Sequence, residues 1–156
     1  MRTVSTLPIG RLRFAVLLAF VAVGVTLGNA QSDKPDFSGR WEIDKARSNR
    51  PDISEEVIEH GDPKLVITTT PATGEKFAIR LSTDGKENLN IVGGREMTAR
   101  TTWEGNKLVT VVRDSQGMQF TEVRALSEDG KVQTTEGFMD PARTRAMFKR
   151  VMVKKQ

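Results

Sequence analysis

Residues 98–113 read Thr98-Ala-Arg-Thr-Thr-Trp-Glu-Gly-Asn-Lys-Leu-Val-Thr-Val-Val-Arg113. Two runs rich in Thr and Val flank Gly105-Asn106, a pair that supplies the positive φ of a tight two-residue hairpin turn. That turn fixes a register: Trp103 falls opposite Leu108, Thr101 opposite Thr110 and Ala99 opposite Val112, all on one face. The other face carries Thr98, Arg100, Thr102, Val109, Val111 and Arg113 and reads as solvated.

The same grammar repeats along the chain. Turn signals recur at Gly61-Asp62-Pro63, Ala72-Thr73-Gly74, Thr83-Asp84-Gly85-Lys86, Val92-Gly93-Gly94, Asp114-Ser115-Gln116-Gly117 and Glu128-Asp129-Gly130-Lys131. Between them lie short alternating segments, such as Phe77, Ile79 and Leu81 against Lys76, Ala78 and Arg80. The spacing predicts about ten strands, near 38–43, 54–60, 64–70, 75–81, 86–92, 94–103, 107–113, 117–126, 131–138 and 143–152. Short connections pair each strand with its predecessor, giving an all-β, antiparallel up-and-down meander. Closing it into a barrel of about 8–10 strands removes the two exposed edges of a flat sheet. Only 44–56 has room for a helical turn or two.

Residues 1–30 are expected to be a cleaved signal peptide. Arg2, Arg11 and Arg13 precede the apolar run 14–27, and small residues follow at Gly28 and Ala30. Fourteen apolar residues fall short of the roughly 20 that a membrane-spanning helix needs, so no stable membrane insertion is expected after cleavage. Residues 31–36 then form a tail and 37–156 one domain. The leader holds three of the 24 basic residues and no acid, leaving 21 basic against 20 acidic residues. The basic pI is thus partly the leader's, and no nucleic-acid footprint is implied. The absence of cysteine removes disulfides, thiolate nucleophiles and thiolate metal sites, which suits a bacterial periplasmic or secreted protein held by its core.

Several segments carry a resemblance. Gly39-Arg40-Trp41 on the first strand, Thr83-Asp84-Gly85-Lys86, Trp103-Glu104-Gly105-Asn106-Lys107-Leu108-Val109, Thr121-Glu122-Val123-Arg124-Ala125-Leu126 and Thr144-Arg145-Ala146-Met147-Phe148-Lys149-Arg150 resemble, in order and spacing, the lipocalins and especially the fatty-acid-binding proteins. The resemblance implies a calycin-type barrel across most of the mature chain. It further implies that Arg124 occupies the place of the inward arginine that holds a fatty acid's carboxylate. Trp41, beside Gly39, resembles the tryptophan that closes one barrel end against a basic side chain of the last strand, a role open to Arg145 or Arg150. The chain departs from the family in two places: 44–54 is too short for a two-helix lid, and Ala146-Met147-Phe148 stands where the family has Arg-x-Tyr.

The expected function is non-catalytic binding of a small apolar or amphipathic, lipid-like ligand in the lumen. Phe77, Ile79, Leu81, Met118 and Phe120 are expected as apolar walls, Glu122 shares the Arg124 face, and Trp103 lies near one barrel end as filling or ligand contact. Residues 117–126 also admit the opposite reading, with Thr121, Val123 and Ala125 inward. The alternative function is an interaction or inhibitor module whose barrel is filled by its own side chains. A third, enzymatic reading lacks a constellation of reactive groups. No cofactor or metal is expected, since the sole histidine, His60, reads as a surface residue and cannot build a multi-histidine site. The sequence sets no oligomeric state.

Overall fold

A computed structural model describes residues 34–156; the expected signal peptide lies outside them. Ten antiparallel strands follow in chain order: β1 Gly39–Ile43, β2 Ile53–Gly61, β3 Lys64–Pro71, β4 Phe77–Ser82, β5 Glu87–Val92, β6 Arg95–Glu104, β7 Lys107–Asp114, β8 Gln119–Leu126, β9 Val132–Phe138 and β10 Phe148–Lys154. They form one sheet in the order β4-β3-β2-β1-β10-β9-β8-β7-β6-β5. First and last strands pair, with Trp41 opposite Lys154, so the sheet curls into a nearly closed barrel.

The β6–β7 hairpin has the register that its turn dictates, with Trp103 opposite Leu108, Thr101 opposite Thr110 and Ala99 opposite Val112. The inner face is buried at Ala99, Thr101, Leu108 and Val112, and the hydroxyls of Thr101 and Thr110 satisfy each other at 2.9 Å. The outer face is not uniformly solvated, because Val109 is only 5% exposed. The β9–β10 connection crosses over it, bringing Met139, Pro141 and Arg143 against Val109, Val111 and Thr121. Arg143 anchors this strap through two bonds to the Glu104 carboxylate, at 2.9 and 3.0 Å. Consequently β10 starts at Phe148, not near residue 143 as alternation suggested.

One pairing expected from the meander does not form. No ladder joins β4 to β5; side-chain amides bridge the seam instead. Asn90 accepts from the Arg80 amide through Oδ1 at 2.7 Å and donates to the Arg80 carbonyl through Nδ2 at 3.0 Å. Asn88 Oδ1 accepts from the Ser82 amide at 2.7 Å. These bonds satisfy backbone groups that a ladder otherwise would.

At the end holding the β2–β3 and β6–β7 turns, the barrel is stoppered. Phe37 and Trp41 are fully buried, and the Trp41 indole N–H donates to the Phe37 carbonyl at 3.0 Å. Phe37, His60 and Trp103 meet edge-on or tilted, with ring centroids 5.8–6.1 Å apart. The His60 side chain is 5% exposed, so it is no surface residue: the Phe37 amide donates to Nδ1 at 3.3 Å, and Nε2 meets Asp62 at 3.1 Å. The cation over Trp41 is Lys154, at 5.3 Å. Arg145 is exposed and Arg150 stacks on Phe148 at 4.3 Å, so neither closes the barrel as expected. Gly39 permits this closure, since its φ is 137° and a Cβ there would lie 2.6 Å from Lys154 Cε.

Gly137 has a similar task, lying under the Phe148 ring, which a Cβ would penetrate. Gly137→Ala should lower the unfolding free energy by about 1–3 kcal/mol through overpacking. Gly61→Ala, with nothing within 4 Å of its Cβ position, should stay within about 0.5 kcal/mol. Urea denaturation of the two variants checks this, and equal losses would remove the Phe148 contact as the cause.

Candidate functional site

The strand halves away from the stopper enclose a cavity of about 170 Å³. Ile53 and Glu56 of β2, Ile67 and Thr69 of β3, Phe77 and Ile79 of β4, Val92 of β5, Met97, Val112, Phe120, Glu122, Arg124 and Arg150 line it. A smaller void of about 30 Å³ lies deeper, between Leu65, Leu81, Ala99 and Leu108, and shares Ile79, Glu122 and Arg124 with the first. A larger depression of about 590 Å³, lined by residues including Arg40, Glu42, Glu55, Lys76 and Lys155, is a polar feature of the outer surface. The segment between β1 and β2 does not roof the cavity with helices. It runs along β10, with Asp44 N donating to Val151 O at 2.8 Å and Asn49 N to Lys149 O at 3.1 Å.

Phe77, Ile79, Phe120, Glu122 and Arg124 all face this lumen, and Leu81 lines the deeper void. Strand β8 therefore turns its even-numbered residues inward. Met118 shares that parity but is 55% exposed and forms no wall. The Asp114 carboxylate accepts from the Gln116 and Met118 amides at 2.9 and 2.8 Å, which holds Met118 in the turn before the strand begins. Trp103 is filling in the stopper and does not reach the cavity. Arg150 lines the cavity instead of closing the barrel.

Sequence reading missed Glu56, Gln133, Asn90 and Met97. Glu56 decides the electrostatics of the site. Arg124 Nη1 donates to Glu56 Oε2 at 2.6 Å and Nη2 to Oε1 at 3.4 Å, and both side chains are almost fully buried. Gln133 Nε2 donates to the same Oε2 at 3.0 Å, while Gln133 Oε1 is buried without a hydrogen-bond partner among the described residues. Burial disfavours the Arg124 charge, but the Glu56 charge and hydrogen bond together with Glu122 more than offset that and raise its pKa. Nearer the rim, Arg150 donates to Asp52 at 2.8 and 3.0 Å, and exposed Arg50 meets the same carboxylate at 3.0 Å.

Glu122 differs from its neighbours in making no hydrogen bond among the described residues. Its nearest cation atom is Arg150 Nη1, at 3.9 Å. The 22% of its side chain that stays accessible faces the cavities. Desolvation pushes its pKa above the ordinary carboxylate value, only partly countered by Arg124 and Arg150.

No protein-family model and no curated protein matches this chain. Solved structures do. Human cRBP IV superposes with a TM-score of 0.59 at 14% identity, covering 78% of this chain and 99% of its own. The brain fatty-acid-binding protein of Drosophila melanogaster gives 0.56 at 19% identity, covering 76% and 99%. Secretory abundant heat soluble protein 4 of Ramazzottius varieornatus gives 0.52 at 14% identity, covering 77% and 95%. The fold is a barrel like that of the fatty-acid-binding protein.

Arg124→Met leaves Glu56 without its counter-ion and should cost about 3–5 kcal/mol, whereas Glu56→Leu with Arg124→Met should return to within about 2 kcal/mol of the parent, Gln133 losing its acceptor. Urea titrations of single and double variants test this; additive losses would contradict the pairing. For Glu122, a folded-state pKa above the unfolded value means stability is complete below about pH 4 and is lost as pH rises through the folded value. Glu122→Gln cannot ionise, so it should match the parent Tm at pH 4 and exceed it by a few degrees at pH 8. A Tm difference independent of pH would show that Glu122 titrates normally.

Proposed function

We propose that this protein is an exported, non-catalytic carrier or scavenger of a small apolar or amphipathic molecule held in the barrel lumen. The observation that carries this reading is the cavity of about 170 Å³, apolar over most of its wall and not roofed by helices. Its size bounds the occupant. An apolar void of about 150 Å³ admits benzene, and pockets for drug-sized ligands run to roughly 300–1,000 Å³. The lumen as it stands suits one ring or a short aliphatic, and a long chain requires it to widen. The β4–β5 seam, held by Asn88 and Asn90 side chains instead of a ladder, is where widening breaks the fewest bonds. Names of fold relatives such as fatty-acid-binding protein agree with lumenal binding, and the charged, apolar and small-residue order of residues 1–30 supports export.

A second reading has one observation in its favour: the Glu56, Arg124 and Gln133 side chains occupy part of the interior and are bonded to one another, as expected of an interaction or inhibitor module that binds through its loops. Native mass spectrometry of protein from its own host, followed by titration of the purified protein with toluene, separates the two. The carrier reading expects a mature chain starting at Gln31, toluene binding, and at least a tenfold loss of that binding in Ile79→Trp, which fills the cavity. An uncleaved chain would end the export reading. Absence of toluene binding, or binding indifferent to Ile79→Trp, would favour the module.

A further inference from the structure

The lumen is selective in the head group it can accept, an inference that rests on the lumenal-binding reading above. Each guanidinium facing the cavity is already committed. Arg124 makes a two-pronged pair with Glu56, and Arg150 makes another with Asp52. A carboxylate that takes Arg124 from Glu56 strands Glu56 almost fully buried, and an uncompensated buried charge is among the costliest defects a protein can hold; one that approaches Arg150 meets the negative charge of Asp52 already beside it.

Glu122 is the reverse case. It lines both the main cavity and the deeper void and makes no hydrogen bond among the described residues. The cavity walls it shares include Ile67, Ile79, Met97 and Val112; Thr110 of β7 and Gly137 of β9 lie opposite it in the sheet, and Arg150 Nη1 is 3.9 Å away. A polar group buried without a partner is costly, and a ligand supplying that partner recovers the cost.

We infer that Glu122 is the head-group site of the lumen, and that its ligand class is a small apolar molecule bearing an amine or another hydrogen-bond donor, not a carboxylate. With an amine, Glu122 and the ligand share one proton in either of two equivalent ways: ammonium with carboxylate, or neutral amine with carboxylic acid. The raised pKa of Glu122 agrees with a carboxyl that lacks such a partner in the empty barrel. The other ionisable groups facing it are Glu56, Arg124 and Arg150, with Asp52 and Arg50 behind Arg150 at the rim. All of these are paired without any ligand.

The test uses four probes of nearly equal size, toluene, benzyl alcohol, benzylamine and benzoate, titrated calorimetrically into the mature protein at pH 7.5. The expected order places benzylamine at least tenfold tighter than benzoate, with benzyl alcohol ahead of toluene. Glu122→Gln, checked for folding by circular dichroism, should weaken benzylamine about tenfold while leaving toluene within twofold. Benzoate binding as tightly as benzylamine to the parent protein would overturn the inference without any variant, while toluene binding kept the lumenal reading intact. An unchanged benzylamine-to-toluene ratio in Glu122→Gln would overturn it equally. Failure of all four probes would remove the lumenal reading, and this inference with it.

Discussion

A buried arginine obliges the rest of the chain to answer it. Arg124 sits on β8 with its head inside the barrel, and removing a guanidinium from water without a counter-ion costs several kcal/mol. The answer comes from Glu56, 68 positions earlier, and from Gln133 on β9. This contact ties β2 to β8 across the lumen. It withholds from any ligand the cation that sequence resemblance offered. The lumen's chemistry is governed by how this charge is satisfied more than by the apolar residues around it.

The parts of this arrangement legible in sequence were those written locally. Gly105-Asn106 fixed the β6–β7 register because a two-residue turn leaves no freedom to slip, and period-two alternation grouped Phe77 with Ile79 and Phe120 with Glu122 and Arg124, while leaving open which face of 117–126 turns inward. Where a turn was made by side chains, the reading failed. Asp114 holds Met118 out of β8. Asp140 accepts from the Thr144 amide and hydroxyl at 2.7 and 2.8 Å, and Arg143 takes a left-handed φ of 54°. The first turn is announced by Gly117, at a φ of 83°, but not the residue it holds back; the second has no glycine at its critical point, so residues 143–147 looked like strand.

Long-range satisfaction was invisible for a different reason. Glu56 lies among Glu55 and Glu59, and only its parity with Ile58 marks it as inward; a register shift between Ile53 and Glu55 blurs even that. Its importance depends on a partner that sequence spacing does not reveal. His60 was misjudged likewise, because Phe37 and Trp103 cover it only once the segment before β1 and the β6–β7 hairpin have met. Arg150 was assigned by analogy to the wrong aromatic: Lys154, directly opposite Trp41, was the nearer cation by register.

The stopper of Phe37, Trp41, His60 and Trp103 has a kinetic consequence for any occupant. It makes the lumen a cul-de-sac, so an arriving molecule cannot displace a resident one by entering from behind. Exchange must then be dissociative: the resident leaves first, by the same mouth through which its successor enters. For a molecule held in such a vessel, exchange would run at the release rate and level off however much competitor is supplied.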